Sequence, residues 1–143
     1  NLSKKYYTFD SQRNDFAFYA VSEPDENDEP KQTFIKLASI YVKPSAAFTD
    51  VTSEKINEVY QEFYKNETFV RVLTNKSLPD VKSVYGSNYI DVNGMYDPET
   101  NVIKLFSAQD NLGKGAALQA IQAANCMFGL PEGTGLKNMI RGV

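Results

Sequence analysis

The sequence predicts an α+β fold, a mostly antiparallel sheet with helices on one face. Short β-branched or aromatic runs recur at Phe16–Val21, Phe34–Val42, Phe69–Leu73 and Ile90–Phe106, each bounded by turn residues. Between them, the stretch after Thr52 carries apolar residues at helical spacing, and a second helical stretch closes the pattern from about Lys114 to Phe128. Antiparallel strands interrupted by one helix and closed by another are the pattern of an α+β domain rather than of repeated βαβ units.

At 143 residues the chain is read as one domain, 1–143, with one core. It is 42% hydrophobic and 23% charged, which suits a globular protein. The formal net charge is -3, with carboxylates bunched between Glu23 and Glu29, so nucleic acid is not an expected partner. No apolar run approaches the roughly 20 residues that span a bilayer, and the first residues lack the basic and greasy regions of a signal peptide. A cytoplasmic protein with no membrane partner is expected. The chain has 0 histidines, which removes any triad or zinc site built on His. The single cysteine, Cys126, has no internal disulfide partner and reads as a buried packing thiol.

From the start, Tyr6 to Val21 is aromatic-rich and partly alternating, read as two short strands around an Asn14-Asp15 turn. Ser22–Lys31 holds five carboxylates, two prolines and no hydrophobic residue, so this acidic loop should stay solvated and flexible. It lacks the glycine and terminal Glu spacing of a calcium loop, and no metal site is assigned. Phe34–Val42 is a core strand, ended by Pro44 because proline cannot donate to a ladder. Thr52 is placed to cap a helix whose stripe is Ile56, Val59, Tyr60, Phe63 and Tyr64, and these aromatics are read as core. Phe69–Leu73 is a further strand. Tyr89 to Ala108 reads as a hairpin of Ile90–Tyr96 and Val102–Phe106 around Asp97–Asn101. The last helix is stopped by Gly129 at a left-handed position, with Pro131 beyond.

Two polar corners stand out. Ser83, Gly86, Ser87 and Asn88 form a turn before the Ile90 strand, flanked by Lys82, whose charge could meet a phosphate. Asn111, Lys114 and Gly115 lie where a strand passes into a helix, a position with free N–H groups suited to an anion. Each also has a bland reading: a Gly-Ser-Asn turn that is only a turn, and a capped helix with a solvated lysine.

Two segments carry more. Lys82–Val92 (KSVYGSNYIDV) and Ser107–Leu136 resemble the C-terminal half of N-acetyl-γ-glutamyl-phosphate reductases. In that family D-N-L-x-K-G-A opens a helix and M-F-G-L-P-x-x-T-G-L follows it. Here the matches run through Asp110, Asn111, Leu112, Lys114, Gly115 and Ala116 to Met127–Pro131 and Thr134–Leu136. LASIYVKP (Leu37–Pro44), Phe63-Tyr64 and FVRVL (Phe69–Leu73) recur in the family's order.

The resemblance implies the C-terminal domain of a glyceraldehyde-3-phosphate-dehydrogenase-like oxidoreductase, which supplies substrate contacts and the subunit interface. It implies NADP-dependent reduction of N-acetyl-glutamyl phosphate to the semialdehyde in arginine biosynthesis, an amino-acid biosynthetic step. It also implies NADP held mainly by an N-terminal nucleotide-binding domain, in cis or in trans, that carries the catalytic cysteine. Asn111, Lys114 and Gly115 would then border the cofactor, and Lys82, Ser83, Gly86, Ser87 and Asn88 would bind the small-molecule substrate. The closing helix and tail, 110–136, would contact the cofactor domain, and the chain would form a homodimer or larger homo-oligomer.

The chain departs from the family in two places. SEPDENDEPKQT stands where a His-containing stretch and an arginine are expected, and Tyr85 replaces an arginine in the K-S-V-x-G-S-N motif. No catalytic residue is therefore assigned, and the isolated chain is expected to be inactive. Two rival readings fit the same residues: a non-catalytic homologue or accessory subunit that keeps the fold, and a small module binding an anionic metabolite.

Overall fold

A computed structural model of the chain describes residues 7–9, 16–18, 35–45, 48–74 and 77–137. Two short strands, β1 (Tyr7–Phe9) and β2 (Phe16–Phe18), pair antiparallel with Tyr7 opposite Phe18. The expected Asn14-Asp15 turn and the acidic loop at 22–31 lie outside the described residues.

The main sheet contains β3 (Ile35–Val42), β4 (Val70–Val72), β5 (Ile90–Asp97) and β6 (Val102–Asp110) in the order β3-β6-β5-β4. β6 pairs antiparallel with both neighbours, and only β4 and β5 run parallel. Parallel neighbours need a crossover, here made through α2 (Val81–Val84), a single turn capped by Asp80 that the sequence pattern did not reveal. The mostly antiparallel α+β expectation holds. β6 runs beyond the expected Phe106 to Asp110, because its ladder to β3 continues to the Ile35–Asp110 pair.

The expected turn joins β5 to β6. Asp97 Oδ1 accepts the N–H groups of Glu99 and Thr100 at 3.1 and 3.4 Å, and Asn101 takes a left-handed φ of 51°.

α1 (Ser53–Tyr64) begins as predicted, with Lys55 N donating to Thr52 Oγ1 at 3.2 Å. Its buried face is rotated from the apolar stripe. Ile56 and Asn57 are buried, whereas Val59 and Phe63 are 60% and 76% exposed. The core assignment for Phe63 is therefore corrected. Asn57 causes the rotation: its Nδ2 donates to Gly94 O and its Oδ1 accepts Gly94 N, both at 2.9 Å, binding the helix to the middle of β5. Gly94 is required there, since a Cβ would lie 2.2 Å from Ile56 Cγ2.

The closing helix is not uniform. Gly113–Ala117 is a π-helical turn, with Ala117 N donating to Leu112 O at 2.9 Å, and α3 (Leu118–Met127) follows it. Gly129 stands just past the helix with φ 68°, the expected left-handed stop. α3 lies across the segments entering β4 and β5, where Leu118, Leu136 and Phe69 cluster with Tyr89. Asn125 pins the tail back to the helix, its Nδ2 donating to Glu132 O and Thr134 O at 3.0 Å each. Cys126 is exposed, which corrects its reading as a buried thiol: the buried side of α3 is set by Leu118 and Asn125, and the next residue turns outward.

Candidate functional site

The two polar corners read from sequence are brought together by Asp110. This carboxylate ends β6, is 3% exposed, and accepts three backbone N–H groups. Oδ1 takes those of Leu112 and Gly113 at 2.8 and 2.7 Å, and Oδ2 takes that of Gly86 at 2.6 Å. An ionised carboxylate offers two oxygens and several lone pairs, so one side chain can cross-link two turns.

Upstream, Lys82 N donates to Asp80 Oδ1 at 3.0 Å, and the chain then reverses at Gly86, whose φ is 68°. Ser87 Oγ donates to Val84 O at 2.7 Å and accepts Tyr89 N at 3.2 Å. This closed turn drives Asn88 inward until its side chain has no exposure. Downstream, Gly113 lies so close to the first turn that a Cβ would stand 2.6 Å from Ser87 O. At Gly115 a Cβ would lie 3.2 Å from Asp110 O and 3.3 Å from Asn111 Oδ1, so the backbone of this corner is also tightly gathered.

A second connection runs through side chains. Gln122 Oε1, on α3, accepts Lys114 Nζ at 2.8 Å and Asn88 Nδ2 at 2.9 Å, while Gln122 Nε2 donates to Glu132 Oε2 at 3.2 Å. Lys114 Nζ stands 5.6 Å from the centroid of the Phe69 ring. Burial pushes the Lys114 ammonium below the usual lysine value, against the pull of Glu132 and Glu67. Glu132 is held below the usual carboxylate range, first by a side-chain hydrogen bond from Thr68.

Gly86, Ser87, Asn88, Asn111, Lys114 and Gly115 therefore form one connected corner. Lys82 and Ser83 stay outside it: both side chains are exposed, and Ser83 bonds through its backbone, its N–H donating to Asp80 O at 3.1 Å and its carbonyl accepting Arg71 Nη2 at 3.0 Å. Arg71 grips Asp91 through Nε to Oδ1 at 2.5 Å and Nη2 to Oδ2 at 2.9 Å, with its guanidinium 4.9 Å from the Tyr89 ring centroid. It thereby braces the strand that follows the turn.

Asp110 accepts the N–H groups two and three residues ahead, as a cap of the expected helix would, and its reach to Gly86 lies beyond that expectation, as do Gln122, Glu132 and the Arg71–Asp91 pair. Gln122 had a signal: it lies eight residues after Lys114, about two turns on the same helical face. A corner of oriented N–H groups, amides and one desolvated cation can hold and orient a polar or anionic group.

Large hydrophobics are exposed along the closing helix and tail. Leu112, Ile121, Met127, Phe128 and Leu130 are exposed large hydrophobics, with Met127 and Phe128 at 83% and 79%, and Ala116, Ala117, Ala120 and Ala123 are exposed beside them. Ala116, Ala117, Ala120 and Ala123 are thus not packed on the chain's own sheet. Among the described residues no helix is long and apolar enough to cross a membrane, and no group of three or more metal-ligating side chains is found.

Residues 36–111, more than half of the 143, match the family described as "Semialdehyde dehydrogenase, dimerisation domain". The chain is 51% identical over 102 residues to an N-acetyl-gamma-glutamyl-phosphate reductase of Acetivibrio thermocellus, covering 71% of this chain and 29% of that protein. A protein of the same name from Lachnoclostridium phytofermentans is 51% identical over 87 residues, covering 61% of this chain and 25% of it. The chain thus spans under a third of the length of these relatives. Among solved structures, aspartate semialdehyde dehydrogenase II from Vibrio cholerae superposes with a TM-score of 0.49 at 20% identity, over 66% of this chain and 27% of that one.

Proposed function

The chain belongs to the semialdehyde dehydrogenase dimerisation-domain family, and from that premise we propose that it is the C-terminal, substrate-binding and dimer-forming domain of an N-acetyl-γ-glutamyl-phosphate reductase. The observation that carries this is the 51% identity over 102 residues to a reductase of that name. In the reductive direction the reaction takes an acyl phosphate, a hydride from NADPH and a proton to the aldehyde, inorganic phosphate and NADP. The work would take place in the cytoplasm, within arginine biosynthesis.

In this reading the reacting thiolate, the acid/base group and most of the NADP site belong to a nucleotide-binding domain in cis or in trans. NADPH when bound would supply the hydride. The present residues bind and orient: the side chain of Asn111 with the Lys114–Gly115 turn on the cofactor side, and the Lys82–Asn88 turn on the substrate side. Support comes from Asp110, which ties the two turns into one corner, and from the apolar surface of the closing helix and tail. That surface suits the cofactor domain, and the dimerisation-domain match supports a second copy of the chain as the other partner.

The test is NADPH consumption by the full-length protein carrying this domain, with and without N-acetyl-γ-glutamyl phosphate. Substrate-dependent turnover is expected there, and none from the 143 residues alone, which include 0 histidines. A second reading, a homologue that keeps the fold and has lost the chemistry, is favoured by Tyr85 at the position of the family's arginine. Full-length protein that folds and binds NADP yet does not turn over would support it.

A further inference from the structure

We infer that Gln122 is a positioning residue that fixes which way Asn88 and Lys114 face, an inference that rests on the function proposed above. The direction of every hydrogen bond in the group is set by its two ends. Lys114 is an ammonium and can only donate, whereas Glu132 is a carboxylate and accepts. The Gln122 amide between them has one allowed orientation, with Oε1 toward Lys114 and Nε2 toward Glu132.

The orientation of Asn88 follows. Gln122 Oε1 is the acceptor it meets, so Asn88 must present Nδ2 there, at 2.9 Å, and turn Oδ1 the other way. That Oδ1 is buried and has no hydrogen-bond partner in the structure. An orphan buried acceptor is costly, and the carboxamide would not keep this rotamer unless the opposite end were held. Gln122 supplies that hold, and through it α3 reports to the turn at Gly86–Asn88. Asp110 joins the two turns by backbone; Gln122 joins them by side chains and sets their polarity.

The experiment uses the full-length protein. Gln122→Met keeps the length of the side chain and removes its hydrogen bonds, while Gln122→Glu, made together with Glu132→Gln so that an amide donor faces the new carboxylate, keeps the acceptor for Lys114 and Asn88. In Gln122→Met, hydrogen exchange of the Asn88 side-chain amide, followed by NMR, should accelerate about ten-fold or more, and KM for the acyl phosphate should rise about ten-fold with kcat nearly unchanged. The Gln122→Glu, Glu132→Gln pair should recover most of the KM. Unchanged exchange in Gln122→Met overturns the inference, as does faster exchange with KM unaltered, or a KM that the paired variant fails to restore. An inactive wild-type protein would instead overturn the function on which the inference rests, and is seen before any variant is compared.

Discussion

At the scale of single residues, the structure turns on polar side chains that are buried and occupied. Asp110 is the central one, since three N–H groups from two turns converge on it. Asp110→Ala leaves those donors unpaired and is expected to lower stability by about 3 kcal/mol, measured by urea unfolding, with Asp110→Asn less harmful because one acceptor oxygen remains. Asp97 makes a pH-dependent contribution. The hydrogen bond from Lys104 Nζ, 2.8 Å from Oδ2, holds its carboxyl at about 2 instead of the ordinary 3.8. A depressed folded-state value means stability that is present above the unfolded value and lost as pH falls toward the folded one. The melting temperature of the parent protein should therefore exceed that of Asp97→Asn above about pH 4. The difference should close between pH 3.8 and about 2. A constant difference down to pH 2 would show that the ion pair is not its source.

At the scale of elements, the docking of α1 on β5 rests on one close approach. Gly94→Ala would place a Cβ 2.2 Å from Ile56 Cγ2, so the helix or the side chain must move. The expected cost is about 2 kcal/mol, and most of it should vanish in an Ile56→Ala background, where the clashing atom is gone. Additive costs in that double-mutant cycle would mean that the strain lies elsewhere. The same contact explains what sequence could and could not tell. Thr52, the run of α1, the strand at Ile35–Val42 and the Gly129 stop were legible because caps, alternation and left-handed glycines are local signals. The rotation of α1 was not, because it depends on Asn57 meeting a backbone 37 residues away. The π-helical turn was not legible either: Gly113–Ala117 reads as ordinary helix in sequence, and what marks it is the bond from Ala117 N to Leu112 O at 2.9 Å. At the candidate site the individual residues were legible as polar turns, but their union was not. It is made by an aspartate that looked like a cap and a glutamine on a helix 34 residues beyond Asn88.

At the scale of the molecule, exposed apolar surface is unevenly spread. Of the ten large hydrophobics exposed among the described residues, Leu112, Ile121, Met127, Phe128 and Leu130 fall within 110–136. Concentration of this kind marks a contact surface. Cys126, exposed on α3, is a built-in reporter of it. A thiol reagent should modify Cys126 readily in the 143-residue chain and far more slowly in the full-length protein, read by peptide mass spectrometry; equal rates would place the cofactor domain elsewhere. Met127→Glu should leave the domain's own stability within about 0.5 kcal/mol while lowering full-length activity, because the side chain has little to lose locally. The central claim, that this corner serves an acyl-phosphate reductase, is tested most directly by running the full-length protein backward. The measurement is NADP reduction with N-acetyl-glutamate semialdehyde as inorganic phosphate is varied. Saturable, phosphate-dependent formation of NADPH, weakened by about 1–3 kcal/mol in transition-state terms in Asn111→Ala, is the predicted result. Folded protein that forms NADPH at a rate independent of phosphate, or not at all, would contradict it.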